Sequence, residues 1–272
     1  METTIRIRLG EAELECVGDE AFVVDRLPQL VAELMRQLTK QAPPTVAPQQ
    51  AVAQSSAGPG LFSIAGVVRD YWSDGVVAGA KVKTVGLNPE LAGETDAAGR
   101  FVISGETPGG SGLIAVSGPD GYVETATGPI ELSPGVSSLV LPAVSRAKLN
   151  LLYDVYGIQP DQNASTVIVN LLTAAGDPLE MVSNTDIGLK QGGNQVGQGP
   201  FFFGPSGNVD PSMVISQAFD NQARALFFSV PEGLTTLWLT ALGADGFLHN
   251  AEVPPVSLLR SAVSVLTAKL PA

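Results

Sequence analysis

Phe62-Ser-Ile-Ala-Gly-Val-Val-Arg-Asp70, Val77-Ala-Gly-Ala-Lys-Val82 and Gly93-Glu-Thr-Asp-Ala-Ala-Gly-Arg-Phe101 follow one another in the chain. Ile64, Gly66 and Val68 recur with period two, which places them on one face of a strand. Ala80, Val82 and Thr84 do the same for the next strand. Thr95 to Phe101 reads as a hairpin turn: the Asp96 carboxylate can accept from the backbone N–H two residues on, and Gly99 supplies a positive φ. Phe101 and Ile103 then point back inward. Each piece serves a small antiparallel β-sandwich, and none carries a catalytic group.

The pattern continues downstream. Leu113-Ile-Ala-Val116 is closed by the turn Gly118-Pro-Asp-Gly121. Tyr122–Thr125 and Ser138–Leu141 bring the total to about seven short strands at sandwich spacing. The strand Gly66-Val-Val68, then Val77–Val82, then Thr95–Phe101 resembles the carboxypeptidase regulatory-like domain, of the transthyretin-like, starch-binding-like fold. The resemblance covers residues 61–145. It implies an accessory or adhesive module without catalytic residues of its own. Some relatives in the wider fold bind carbohydrate, and most sit in exported proteins.

Residues 146–272 read as a second sandwich. Lys148–Tyr153, Thr166–Leu171, Ala225–Val230, Thr236–Thr240 and Ser261–Leu266 are its expected strands. Val230-Pro-Glu-Gly233, the strand through Trp238, and the turn Ala244-Asp-Gly-Phe247 repeat the logic of the first sandwich. A diverged second copy of one fold class is therefore open. The expected class is mainly β: two tandem transthyretin- or Ig-like β-sandwich domains behind a small ββα unit and a linker rich in Pro, Ala and Gln.

That ββα unit spans residues 1–38. Residues 3–9 and 11–17 both alternate with period two around Gly10, as a β-hairpin does. From Asp19, the expected N-cap, the period becomes helical, with Phe22, Leu27, Leu30 and Leu34 on the apolar face. Pro28 predicts a kink or a break there. A unit this small cannot build a self-sufficient core. Its helix is expected to dock on a protein partner or to form a homo-oligomer, with docking onto its own later domains as the alternative. Residues 39–60 have the composition of a tether, and a flexible coil of that length spans roughly 25 Å.

Composition excludes several function classes. There are 30 glycines and 20 prolines among 272 residues, with 44% hydrophobic residues, as in a turn-rich folded β protein. The formal net charge of −12 repels phosphate backbones and anionic lipid, so neither nucleic acid nor membrane insertion is expected. One cysteine, Cys16, allows no internal disulfide. The N-terminus has no continuous apolar h-region, so a cytoplasmic location is the default, with non-classical export open.

Chemistry-bearing constellations are sparse. His249 is the only histidine, and no nucleophile-elbow motif accompanies it; an ordinary strand-end residue is the expected reading. Cys16 reads as a small apolar residue. One His and one Cys exclude a conventional zinc site, and Asp120-Gly121 and Asp245-Gly246 are turn dipeptides without calcium-loop spacing. Gly109-Gly-Ser-Gly112 lacks the lysine of a phosphate-binding loop. Asn163-Ala-Ser165 matches a glycosylation sequon by chance. No cofactor and no metal are expected.

Two features suit binding. Residues 184–212 form a long glycine- and amide-rich segment around Phe201, Phe202 and Phe203, read as a loop that presents a ligand or subunit surface. The opposing reading makes the three phenylalanines a short buried strand. Trp72, beside Tyr71, is the second candidate aromatic, able to stack on a sugar ring or fill a core. The leading expectation is a non-enzymatic structural or adaptor protein whose sandwiches present an interaction surface and whose N-terminal unit docks or self-associates. The alternatives are a carbohydrate- or small-ligand-binding module and an accessory subunit of a hydrolase.

Overall fold

A computed structural model describes residues 3–9, 12–18, 61–106, 110–132, 136–204, 210–243 and 245–271. The chain divides into two compact units, Met1–Gln50 and Ala51–Ala272. In the first, β1 (Thr3–Leu9) and β2 (Ala12–Gly18) pair antiparallel from Thr3↔Gly18 to Leu9↔Ala12, the expected hairpin. The register sets Arg6 opposite Glu15 and Arg8 opposite Glu13. The expected helix with Phe22, Leu27, Leu30 and Leu34, and the tether at 39–60, lie outside the described residues.

The second unit opens with β3 (Leu61–Asp70), β4 (Lys81–Val85), β5 (Ala92–Glu94), β6 (Arg100–Glu106) and β7 (Gly110–Ser117). These are followed by β8 (Tyr122–Val123), β9 (Thr125–Thr127), β10 (Ile130–Leu132) and β11 (Val136–Ser145). One sheet has the order β6-β3-β11-β8, with β3 and β11 parallel. It faces β5-β4-β7-β9. Between them lie Ile64, Val68, Val82, Phe101, Ile103 and Leu141, among others. Gly66 lets β11 approach: a Cβ there would meet the Leu139 carbonyl and come within 2.8 Å of the Phe101 ring. The Asp96 turn forms as its sequence dictates, with the carboxylate accepting from Ala98 N and Arg100 N at 2.8 Å each, and Gly99 at φ +71°.

The remainder comprises α1 (Arg146–Tyr156), β12 (Ala164–Leu172), β13 (Ile187–Gln191), β14 (Asn194–Val196) and β15 (Gln198–Phe202). It continues with β16 (Ala218–Phe219), β17 (Gln222–Pro231), β18 (Gly233–Leu242), β19 (Leu248–Leu258) and β20 (Val263–Lys269). The sheet β15-β17-β12-β20 packs on β14-β13-β18-β19. The topology repeats that of the first sandwich. In each half the opening strand (β3 or β12) sits between an antiparallel partner (β6 or β17) and a parallel closing strand (β11 or β20). In each, the second sheet begins from a short edge strand, β5-β4-β7 against β14-β13-β18.

Two expectations are corrected. Lys148–Tyr153 is not a strand but the middle of α1. Leu149, Leu152, Tyr153 and Tyr156 recur at three- and four-residue steps, a helical stripe that packs inward, and Gly157 ends the helix at φ +62°. Residues 184–212 are not one long loop, because β13, β14 and β15 lie within them. Glycine-rich turns between very short strands hid those strands from a reading by composition.

The halves share a sheet. β9 of the first sandwich pairs in parallel with β20 of the second, Thr125↔Val263 to Thr127↔Val265. One sheet thus runs β15-β17-β12-β20-β9-β7-β4-β5 across both. β12 and β17 are also covered on both faces, by the second sandwich's other sheet on one side and by α1 with Tyr71 and Trp72 on the other. Val167, Val169 and Phe227 enter the second sandwich's core, while Ile168, Leu226 and Phe228 pack beneath α1. Double coverage explains why Ala225-Leu-Phe-Phe228 is continuously apolar where a one-sided strand would alternate.

Candidate functional site at the sandwich junction

The junction is built from the turn after β3. The Asp70 carboxylate Oδ1 accepts from Trp72 N (3.0 Å), Ser73 N (2.8 Å) and Ser73 Oγ (3.0 Å), which fixes the turn. Tyr71 and Trp72 are thereby projected onto the outer face of β12 and β17. Their rings meet edge to face at 4.8 Å. The Tyr71 hydroxyl donates to Asn170 Oδ1 at 2.7 Å, and Trp72 packs 5.8 Å from Phe203.

Arg224 stands at the centre. Its guanidinium carbon lies over the rings of Tyr71, Trp72 and Phe203 at 5.0, 5.7 and 5.8 Å. The residue is only 8% exposed, the single buried charge among the described residues. Burial pushes the Tyr71 hydroxyl up to about 12, against the opposing pull of the Arg224 charge. Arg224 was not singled out by sequence, yet a signal exists: it is a charge inside the apolar run Ala223–Val230.

The phenylalanine triplet divides between two cores. Phe202 is fully buried inside the second sandwich, whereas Phe201 and Phe203 face the junction, as alternation along β15 requires. Phe201 packs on Tyr156 with centroids 4.1 Å apart, and Tyr156 donates to the Phe202 carbonyl at 3.3 Å. Burial, then the nearby Asp210 charge, raises the Tyr156 hydroxyl well above its ordinary range. The structure thus gathers Trp72 and Phe203 into one aromatic assembly, with Phe201 beside α1 and Phe202 beneath it.

Beside the assembly an open cleft of about 680 Å³ separates the sandwiches. Arg69, Asp70 and Pro142 of the first half face Asn170, Gln222 and Thr267 of the second. The cleft is large enough for a small ligand or a peptide side chain.

His249 lies elsewhere, on the β18–β19 hairpin. Its Nε2 sits 3.0 Å from both oxygens of Asp245, whose Oδ1 also accepts from Phe247 N. The Phe247 amide first, then His249, hold the Asp245 carboxyl below its usual value. This is a pinned hairpin turn. No group of three or more potential metal ligands occurs among the described residues.

No protein-family model matches the chain, and no curated protein matches it. Solved structures match at a distance. The Bacillus anthracis TIE protein is 13% identical over 78% of this chain and 34% of that one, with a TM-score of 0.25. A streptococcal ancillary pilin is 11% identical over 79% and 63% of the two chains, with a TM-score of 0.23. BcpA, the major pilin subunit of Bacillus cereus, is 11% identical over 78% and 69%, with a TM-score of 0.23. The chain thus spans 34% and 63% of the first two proteins' lengths. At such scores the reading of the molecule rests on its own residues.

Proposed function

We propose that the chain is a non-enzymatic structural or adaptor protein. Its paired sandwiches form one stiff interaction module, and its N-terminal unit docks on a protein partner or self-associates. The observation that carries this reading is the continuous sheet through β9 and β20, locked by the Tyr71–Trp72–Arg224–Phe203 assembly. Such a junction removes the hinge expected between independent domains, where relative motion is the default. A stiff pair of walls suits load bearing or display. The sequence pattern of Gly66–Val68, Val77–Val82 and Thr95–Phe101 supports kinship of the first sandwich with carboxypeptidase regulatory-like, transthyretin-like domains.

Light scattering on the full chain and on residues 61–272 tests the proposal. The full chain is expected to assemble or to capture a partner, and the truncated form to remain folded and monomeric. A full chain that stays monomeric and retains nothing from its native extract overturns it.

A further inference from the structure

Arg224 poses a problem of charge. It forms no salt bridge among the described residues, and its Nε has no hydrogen-bond partner. Its Nη2 donates to Gln222 Oε1, an amide on an exposed side chain. Ring faces over the guanidinium offset part of the desolvation cost, but they do not accept from an in-plane N–H. A buried, incompletely bonded cation is costly, in a chain whose acidic residues outnumber its basic ones.

The position of this charge suggests what completes it. Tyr71, whose ring Arg224 covers, Asn170, its cross-strand partner, and Gln222, its hydrogen-bond acceptor, all line the cleft. The guanidinium therefore lies directly behind the cleft wall, with the Gln222 amide as its cover. We infer that the cleft is a carboxylate-binding site, in which the ligand's carboxylate replaces Gln222 Oε1 and pairs with the fork of Arg224. A carboxylate matches that fork in shape. A phosphate dianion would instead bring double charge against Asp70 and Asp74 on the facing wall, in a molecule of net charge −12. The ligand is either an acidic side chain of a protein partner or a free small carboxylic acid. The inference rests on the reading of the paired sandwiches as an interaction module.

The test follows the Arg224 Nε–H resonance of the full chain by NMR. Glutarate, an acetylated and amidated Ala-Glu-Ala peptide, and inorganic phosphate are each titrated in. Saturable shifts with a Kd of about 1 mM or tighter are expected for a carboxylate probe. Response to the peptide alone assigns the site to a protein partner, and equal or stronger response to glutarate assigns it to a free acid. Gln222→Ala removes the cover and is expected to tighten binding by about threefold or more, while Arg224→Lys, which keeps the charge but loses the fork, weakens it by about tenfold. No saturable shift in either the wild type or Gln222→Ala overturns the inference, as does phosphate binding at least as tightly as glutarate. Unaltered affinity in a folded Arg224→Lys protein, followed by Trp72 fluorescence, also overturns it. This readout is local to Arg224 and the rings around it, so it stands or falls separately from assembly through the N-terminal unit.

Discussion

Gly66 shows how one missing side chain can decide a sheet. The Leu139 carbonyl of the parallel strand and the Phe101 ring occupy the space that a Cβ would take. Gly66→Val forces β3 and β11 apart, and a loss of about 1–3 kcal/mol is expected, read from the urea midpoint. Tyr71 gives a pH-dependent counterpart. Folding raises its hydroxyl from 10.0 to about 12, so the fold favours the neutral phenol. That contribution is whole below pH 10.0, erodes as pH climbs towards about 12, and is gone above it. Tyr71→Phe should therefore lose less stability than the wild type across that alkaline window, while paying about 1–3 kcal/mol at neutral pH for the unpaired Asn170 Oδ1. Urea midpoints on either side of pH 10.0 check both signs.

The elements were unequally legible. The Asp96–Gly99 turn and the strands of Ile64–Val68 and Thr166–Leu171 could be read because turn chemistry and the apolar pattern agreed. The α1 segment could not. Leu149-Asn-Leu-Leu-Tyr153 satisfies period two locally, and only the longer stripe through Tyr156 and the closing Gly157 reveal a helix. Likewise, the aromatic candidates Trp72 and Phe203 were visible as residues, but their common partner Arg224 required knowing that β17 is covered on its outer face. The helix carries its own prediction. Leu149→Ala or Leu152→Ala empties a buried position under α1 and should cost about 2–5 kcal/mol. Leu151, 51% exposed on the same helix, should tolerate alanine within about 0.5 kcal/mol. Equal effects at all three positions, measured by chemical denaturation, would contradict the packing described.

For the molecule as a whole, shared strands imply shared stability. Separating the two sandwiches would strip β9 of its neighbour β20 and part Tyr71 and Trp72 from Arg224 and Phe203. Calorimetry on residues 61–272 should therefore show one transition, with calorimetric and van't Hoff enthalpies in agreement. Two resolved transitions would mean that the junction is weaker than its contacts indicate. The sequence did suggest two sandwiches and a possible repeat of one topology. It held no trace of their fusion, since pairing between β9 and β20 leaves no local pattern.

That pairing has a kinetic side. β20 must find both β12 and β9, strands drawn from opposite halves of the chain, before either sandwich is sealed. Closures between such distant segments are slow, and until they happen two bare strand edges remain available to neighbouring molecules. Refolding from denaturant should accordingly be sluggish, and the recovered yield should fall as protein concentration rises.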